Sequence, residues 1–200
     1  MNKLFFETEQ NGFYGTYYEN PNGADCAMIG LFGDDPNDYM AKCGAKWLHK
    51  HGVNVLCMSP GKHNYSHVNC PLERIETAIQ RLTSHGDRKV GIMGMSTAGM
   101  EALAAASYFP DITLTIGLTA SDFIWQGFEQ GKKDGCKEWP VPGASTLSYR
   151  GKPLPYIPLS QRASGRMRSH QKRCGQAALD GIARVDCGLA PWMWCGWWNA

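Results

Sequence analysis

The stretch VGIMGMSTAGMEAL, residues 90–103, decides the fold. An apolar run typical of a buried strand ends at a serine, and an alanine-rich helix follows. This is the pattern of a nucleophile elbow, a strand-to-helix turn so sharp that Gly94 and Ala98, two residues before and after Ser96, have to be small. The pattern usually has glycine at the second of these positions, but here Ala98 takes that place and Gly99 follows. The Ser96 hydroxyl is therefore predicted to lie exposed at the carboxyl end of its strand.

Strands and helices alternate on both sides of this elbow. The predicted strands are residues 26–31, 53–58, 89–93 and 112–118, and the predicted helices are residues 36–51, 71–84 and 97–108. Pro71 is expected in the first turn of the second helix. The first helix is predicted to bury one face, made of Tyr39, Cys43, Trp47 and Leu48. Such alternation is typical of βαβ units, so we expect a doubly wound, mostly parallel sheet with helices on both faces.

The alternation stops after Ser121. Residues 126–158 are rich in glycine, lysine and proline, which predicts a long loop over the edge of the sheet. From Leu159 the composition changes again, and four of the seven tryptophans fall within the last nine residues without a period of 2 or 3.6. We therefore divide the chain into a partial core, residues 1–158, and an atypical tail, residues 159–200. The tail is either a terminal segment that docks its tryptophans on the core or, as we favour, sequence foreign to the fold, as after a shifted reading frame.

Composition excludes several classes of protein. The net charge of +2 is too small to indicate binding to nucleic acid or to an anionic membrane, and no apolar run approaches the roughly 20 residues of a membrane span. The start of the chain does not have the pattern of a signal peptide, so we expect a cytoplasmic protein. The eight cysteines form no C-x-x-C pair, and Cys174, Cys187 and Cys195 with His170 match no standard zinc spacing. We predict neither a metal site nor a cofactor.

Several segments are similar to one family, the acyl-CoA thioester hydrolases and bile-acid-CoA:amino-acid N-acyltransferases. Together they cover about residues 25–158, and they are residues 30–33, 39–52, 91–96 with the following helix, 109–113, 124–128 and 149–155. The resemblance implies an α/β-hydrolase fold, incomplete at its C-terminal side, and an acyl-CoA or related thioester or ester as substrate. It also implies an acyl-Ser96 intermediate.

The nucleophile helps to choose between the activities of that family. Members that pass the acyl group to an amino acid use a cysteine, which keeps a thioester that an amine can attack. A serine forms an oxygen ester, which suits water as the acceptor, so Ser96 favours a hydrolase. Two alternatives stay open: a dienelactone-hydrolase-like esterase, and a non-catalytic remnant that binds acyl groups or a partner.

The remaining catalytic groups are less clear in the sequence. The Thr97 amide, at the start of a helix, is a natural oxyanion donor, and a second donor is expected near Gly33, in the loop formed by Phe32, Gly33 and Asp34. That loop is equally compatible with an ordinary turn and a helix N-cap at Asp34 or Asp35.

A serine nucleophile also needs a base. The resemblance implies that the triad acid and histidine follow Pro158, beyond two further strands that we do not find. A triad of Ser96, Asp122 and His170 is formally possible, but His170 lies in a basic run that disfavours an imidazolium. The five histidines before Ser96 are expected at the surface.

Two expectations concern partners. Without further strands, the edge at residues 112–118 has unpaired backbone groups and an apolar face, which invites self-association. Lys132, Lys133 and Lys137 could meet the phosphates of coenzyme A, although such a cluster is more often simply solvated.

Overall fold

The computed structural model of the protein describes residues 2–33, 35–62, 64–130 and 138–158. The helices are α1 (Thr8–Asn11), α2 (Tyr39–His49), α3 (Glu73–His85) and α4 (Thr97–Tyr108). The strands are β1 (Lys3–Phe6), β2 (Tyr14–Tyr18), β3 (Cys26–Leu31), β4 (Asn54–Ser59), β5 (Cys70–Pro71), β6 (Lys89–Met95), β7 (Ile112–Leu118), β8 (Gln126–Gln130), β9 (Glu138–Ser145), β10 (Leu147–Tyr149) and β11 (Lys152–Pro153). All four predicted strands and all three predicted helices are present.

A six-stranded sheet forms the centre of the described residues. Its strand order is β1-β2-β4-β3-β6-β7; β1 and β2 are antiparallel to their neighbours, and the last four strands run parallel. The sequence analysis missed β1 and β2, because short stretches such as YGTYY of β2 are not the uniform apolar runs that mark the other strands. Tyr17 and Tyr18 are nonetheless both buried, one on each face of the sheet.

Helices cover both faces of this sheet, as the alternation predicts. The core on one face contains α3 and α4 together with Ile29 and Leu56, and the core on the other face contains α2 together with Met28 and Val55. Neighbouring residues of each inner strand thus point into different cores, which explains why these strands are apolar throughout. The mostly parallel sheet, wound on both faces, confirms the predicted fold class.

The prediction for the buried face of α2 was wrong. Leu48 is buried, but Tyr39 and Trp47 are 80% and 55% exposed, and Cys43 is exposed as well. Ala41 and Ala45 accompany Leu48 against the sheet instead. Small side chains allow the helix to approach the sheet closely, so in this helix size outweighs hydrophobicity. The N-cap is also not Asp34 or Asp35 but Asp38, whose carboxylate accepts a hydrogen bond of 2.8 Å from the Ala41 amide.

The segment after β7 is folded, where the sequence predicted a long loop. Strands β8 and β9 form a hairpin, and β10 pairs with β11 and, in parallel, with β5. Pro71 therefore lies in β5, and α3 begins only at Glu73. His67 and Phe128 exchange two backbone hydrogen bonds of 2.9 Å. Through these pairings, β8 and β10 lie against the segment that follows β4.

Strand β7 is the last strand of the sheet within the described part of the chain. Leu114 and Leu118 on this strand are each 45% exposed. Among the described residues, none of the helices is both long and apolar enough to cross a membrane.

Candidate active site

Ser96 lies on a strained turn between β6 and α4. Its φ is 56° and its ψ is −121°, a combination that side-chain-bearing residues rarely adopt. The Ser96 amide donates a 2.9 Å hydrogen bond to the Leu118 carbonyl at the end of β7, and its carbonyl accepts one of 3.0 Å from Met100. The residue is exposed at the carboxyl end of the sheet. The backbone is thus held from both sides in a conformation that presents the side chain to solvent.

Close packing explains the small residues around the serine. A Cβ atom on Gly94 would lie 2.2 Å from the carbonyl oxygen of Ala98, so no larger residue fits there without moving the backbone. The methyl group of Ala98 itself is accommodated and buried. A Cβ atom on Gly99 would lie 2.9 Å from the Ala120 Cβ and 3.0 Å from the Gly94 carbonyl oxygen. The sequence pattern has its second glycine two residues after the serine. In this structure the position that has no room for a Cβ atom is the next one, Gly99.

The predicted oxyanion donors lie on the two segments that flank the turn. Thr97 is the first residue of α4, so no carbonyl of its own helix can accept from its amide. Gly33 follows β3 with a φ of 141°, and no atom lies within 4 Å of the position where its Cβ would be. This φ lies in the region that favours glycine, as expected where a backbone amide has to turn toward a substrate oxygen. Asp34 lies outside the described residues.

A buried polar cluster stands behind this turn. Glu101 of α4 accepts a 3.1 Å hydrogen bond from Nε of Arg74 in α3, and a second one from the same guanidinium. Arg74 also donates a 2.8 Å bond to the carbonyl of Ser59, at the end of β4. Burial acts to raise the pKa of Glu101, but the charge of Arg74 and the bond from His67 outweigh it and lower that pKa to about 2. Near neutral pH, Glu101 is therefore a carboxylate paired with Arg74.

His67 completes this cluster, and its predicted surface location was wrong. The side chain is 1% exposed, and the ring of Phe128 in β8 lies against it at a centroid distance of 5.3 Å. Its Nδ1 lies 2.8 Å from the Tyr65 carbonyl oxygen, and its Nε2 lies 3.5 Å from Oε2 of Glu101. Both neighbours are acceptors, and neither of them is Ser96, so a neutral ring donates to one of the two and a protonated ring to both. The ring is a structural partner in this arrangement.

A small cavity connects the cluster to the predicted oxyanion loops. Its volume of about 10 Å³ is close to that of a single water site. The lining residues come from both sides of the elbow and from the cluster: Leu31, Gly33, Met58, Ser59, Pro60, Tyr65, His67, Arg74, Ala98 and Glu101. The Gly33 loop and the first turn of α4 therefore share a wall with the buried ion pair.

The candidate triad partners of Ser96 are not brought together in the described structure. Asp122 is exposed in a bend after β7. His170 lies outside the described residues, as do the lysines of residues 131–137 and the cysteines of the tail. His49 and His51 contact backbone carbonyls of Tyr18 and Trp47, at 3.1 Å and 3.0 Å.

Comparison with known proteins identifies similar folds only. No protein-family model matches the chain, and no curated protein matches it significantly. Among solved structures, the α/β hydrolase GrgF from Penicillium sp. sh18 is 17% identical with a TM-score of 0.48, over 62% of this chain and 47% of that one. An esterase domain from a Rhodothermus marinus protein is 14% identical with a TM-score of 0.47, over 64% and 60%. A cold-adapted esterase from an Arctic intertidal metagenomic library is 15% identical with a TM-score of 0.43, over 58% of each chain.

The chain thus spans less than two thirds of each of these structures. Its fold is established by its own features. The parallel strands β4-β3-β6-β7, the helices on both faces and the serine on a strained turn after β6 together define an α/β-hydrolase fold.

Proposed function

We propose that the protein is a serine hydrolase of the acyl-CoA thioesterase type, which cleaves a thioester through an acyl-Ser96 intermediate. The observation that supports it is the backbone of Ser96, because a φ of 56° at an exposed serine is maintained only where surrounding structure enforces it. Such strain is concentrated at functional sites, and the strained residue here is a serine at the carboxyl end of a parallel sheet.

The reaction follows from the groups around the turn. Oγ of Ser96 attacks the thioester carbonyl carbon as its proton passes to a base, and the negative charge on the carbonyl oxygen is stabilised by the Thr97 amide and the Gly33 loop. The C–S bond then breaks, and the thiolate leaves with the proton held by the base. Water attacks the resulting oxygen ester by the same route and releases the carboxylic acid and the free serine.

The mechanism also requires a base. His67 lines the cavity beside the elbow, but its two nitrogens face the Tyr65 carbonyl and Glu101 rather than Ser96. We infer that the acid and the histidine belong to the part of the fold that the family places after Pro158. Within this chain His170 is the candidate base, and Asp122, which follows β7 and precedes Pro158, is an alternative position for the acid. If neither takes part, the chain still reacts at Ser96 but turns over slowly, because loss of triad members leaves only about 10³- to 10⁴-fold catalysis over water.

Covalent labelling tests the nucleophile directly. A fluorophosphonate probe is expected to modify Ser96, as located by peptide mass spectrometry, and Ser96→Ala should remove the label. The matched control is Ser107→Ala, which changes a serine on the same helix away from the turn and should leave labelling intact. Labelling of another residue, or none at all, would refute the proposal.

A second assay tests the reaction. Release of free thiol from an acyl-CoA, compared with release of the alcohol from a simple ester, separates thioesterase from esterase activity. Release should depend on Ser96 in either case. His170→Ala should slow turnover if His170 is the base; unchanged turnover at an ordinary enzymatic rate would place the base elsewhere.

A further inference from the structure

We propose that Glu101, Arg74 and His67 form a positioning network, which fixes the start of α4, and with it Ser96 and the Thr97 amide, against the loop after β3. The three residues do not touch the substrate in this role; they act through the backbone that carries the reacting groups. The catalytic part of this inference rests on the proposed function, whereas its structural part does not.

The network joins elements that are distant in the sequence. Glu101 is on α4, five residues after Ser96, which corresponds to about 7 Å along a helix axis. Arg74 ties this carboxylate to α3 and to the end of β4, where its guanidinium bonds the Ser59 carbonyl. His67 ties it to the loop after β4, which is held in turn by β8 through Phe128. The first turns of α4 are therefore fixed from three directions.

The face of α4 explains why such a device is needed. The helix presents mostly short side chains to the core, Ala98, Ala102 and Ala105, and Met100 is its one long apolar side chain that is buried there. Packing of that kind brings a helix close but does little to specify its rotation or its shift along the axis. Directional hydrogen bonds to a buried carboxylate do specify both, because each requires a particular distance and angle.

Stability alone is a poor explanation for the network. Taking an arginine and a glutamate out of water is costly, and apolar residues of similar volume often replace buried ion pairs without loss of stability. The location of the network is more informative. It forms one wall of the cavity whose other walls include Gly33 and Ala98, so any change in the network is transmitted to the spacing between the two predicted oxyanion segments. A misplacement of about 1 Å at such a site can cost roughly 100-fold in rate.

Two variants separate positioning from stability. Glu101→Gln keeps the shape of the side chain but removes its charge, and the double variant Arg74→Met with Glu101→Leu replaces the pair by apolar residues. We expect each folded variant to be labelled at Ser96 at least 10-fold more slowly at saturating fluorophosphonate, with an unchanged probe affinity. The double variant should regain the thermal midpoint lost in Glu101→Gln but not the labelling rate.

The control is another arginine–carboxylate pair. Arg88 and Asp25 pair at the surface, where their side chains are 78% and 60% exposed, so Asp25→Asn should change neither the rate nor the stability measurably. A double variant that is folded and labelled at the wild-type rate would overturn the proposal. If that variant does not fold, a wild-type rate in Glu101→Gln would overturn it equally.

Hydrogen exchange provides a readout that does not depend on chemistry at Ser96. The Ser96 amide donates to the Leu118 carbonyl, and the Met100 amide donates to the Ser96 carbonyl. Exchange at these two amides therefore reports whether the turn keeps its hydrogen bonds. In Glu101→Gln these two amides should exchange faster, while those of β3 remain as protected as in the wild type. Equal acceleration throughout the sheet, or none at the turn, would overturn the positioning role. If the wild type is not labelled at all, the proposed function fails, and this measurement alone decides on the network.

Discussion

Replacement of Ser96 by glycine is expected to stabilise the protein relative to replacement by alanine, which reverses the usual order. A residue with a Cβ at φ 56° and ψ −121° carries strain of about 1–3 kcal/mol, and glycine relieves it. Against this, the unfolded chain of the glycine variant has more conformational freedom than that of the alanine variant, which lowers the free energy of unfolding by about 0.4–1 kcal/mol. The difference leaves Ser96→Gly more stable than Ser96→Ala by about 1 kcal/mol.

Urea unfolding measures this difference, because both variants lack the Ser96 hydroxyl and differ only in the Cβ atom. The control is the same pair of substitutions at Ser107, which lies in the regular part of α4. There Gly should be less stable than Ala by about 0.5–1 kcal/mol. If Ser96→Gly is also the less stable member of its pair, the turn is not strained, and the structural basis for Ser96 as nucleophile is lost.

Three further predictions concern the surroundings of this turn. Gly94→Ala should destabilise the protein by about 2 kcal/mol or more in the same urea assay, because its Cβ would lie 2.2 Å from a backbone carbonyl oxygen; Gly61→Ala, with its nearest atom at 3.9 Å, should be tolerated. The pKa of Glu101 is lowered from 4.5 to about 2, so the stability that this carboxylate contributes is present above about pH 4.5 and is lost as the pH falls toward 2; a Glu101→Gln variant with the same acid-unfolding slope would contradict this. If β7 is an open edge, Leu114→Lys should lower self-association in sedimentation velocity, and an unchanged mass distribution would exclude that edge as the contact.

The sheet and the elbow could be predicted because each carries its signal within a few residues. Buried parallel strands are apolar throughout, and the helices between them repeat apolar residues every three or four positions. The elbow adds a steric requirement that is local as well, since Gly94 and Ala98 pack on each other across the turn. These features do not depend on distant parts of the chain.

The elements that were missed depend on distant pairing. Strand β2 is defined by its pairing with β4, about 40 residues away, and β5 by its pairing with β10, about 77 residues away. Strands as short as Cys70–Pro71 have no period of their own, so Pro71 was taken for the start of a helix. The face of α2 was missed for a different reason. Apolar spacing identifies a stripe, but it does not show whether large or small side chains will face the sheet.

The buried cluster shows which part of such a site a sequence can reveal. His67 lies among Asn64, Ser66 and Asn69, a composition typical of a solvated loop, and it is buried only because β8 covers it. No local pattern predicts that. Glu101 is different, because it is the only charged residue of α4. It lies on the buried face of that helix, together with Ala98, Ala102 and Ala105. A lone charge on the buried stripe of an apolar helix has to find a partner, since an unpaired buried carboxylate is too costly to keep ionised. This lone charge is a signal that the sequence analysis did not use, and the folded chain shows that its partner is Arg74.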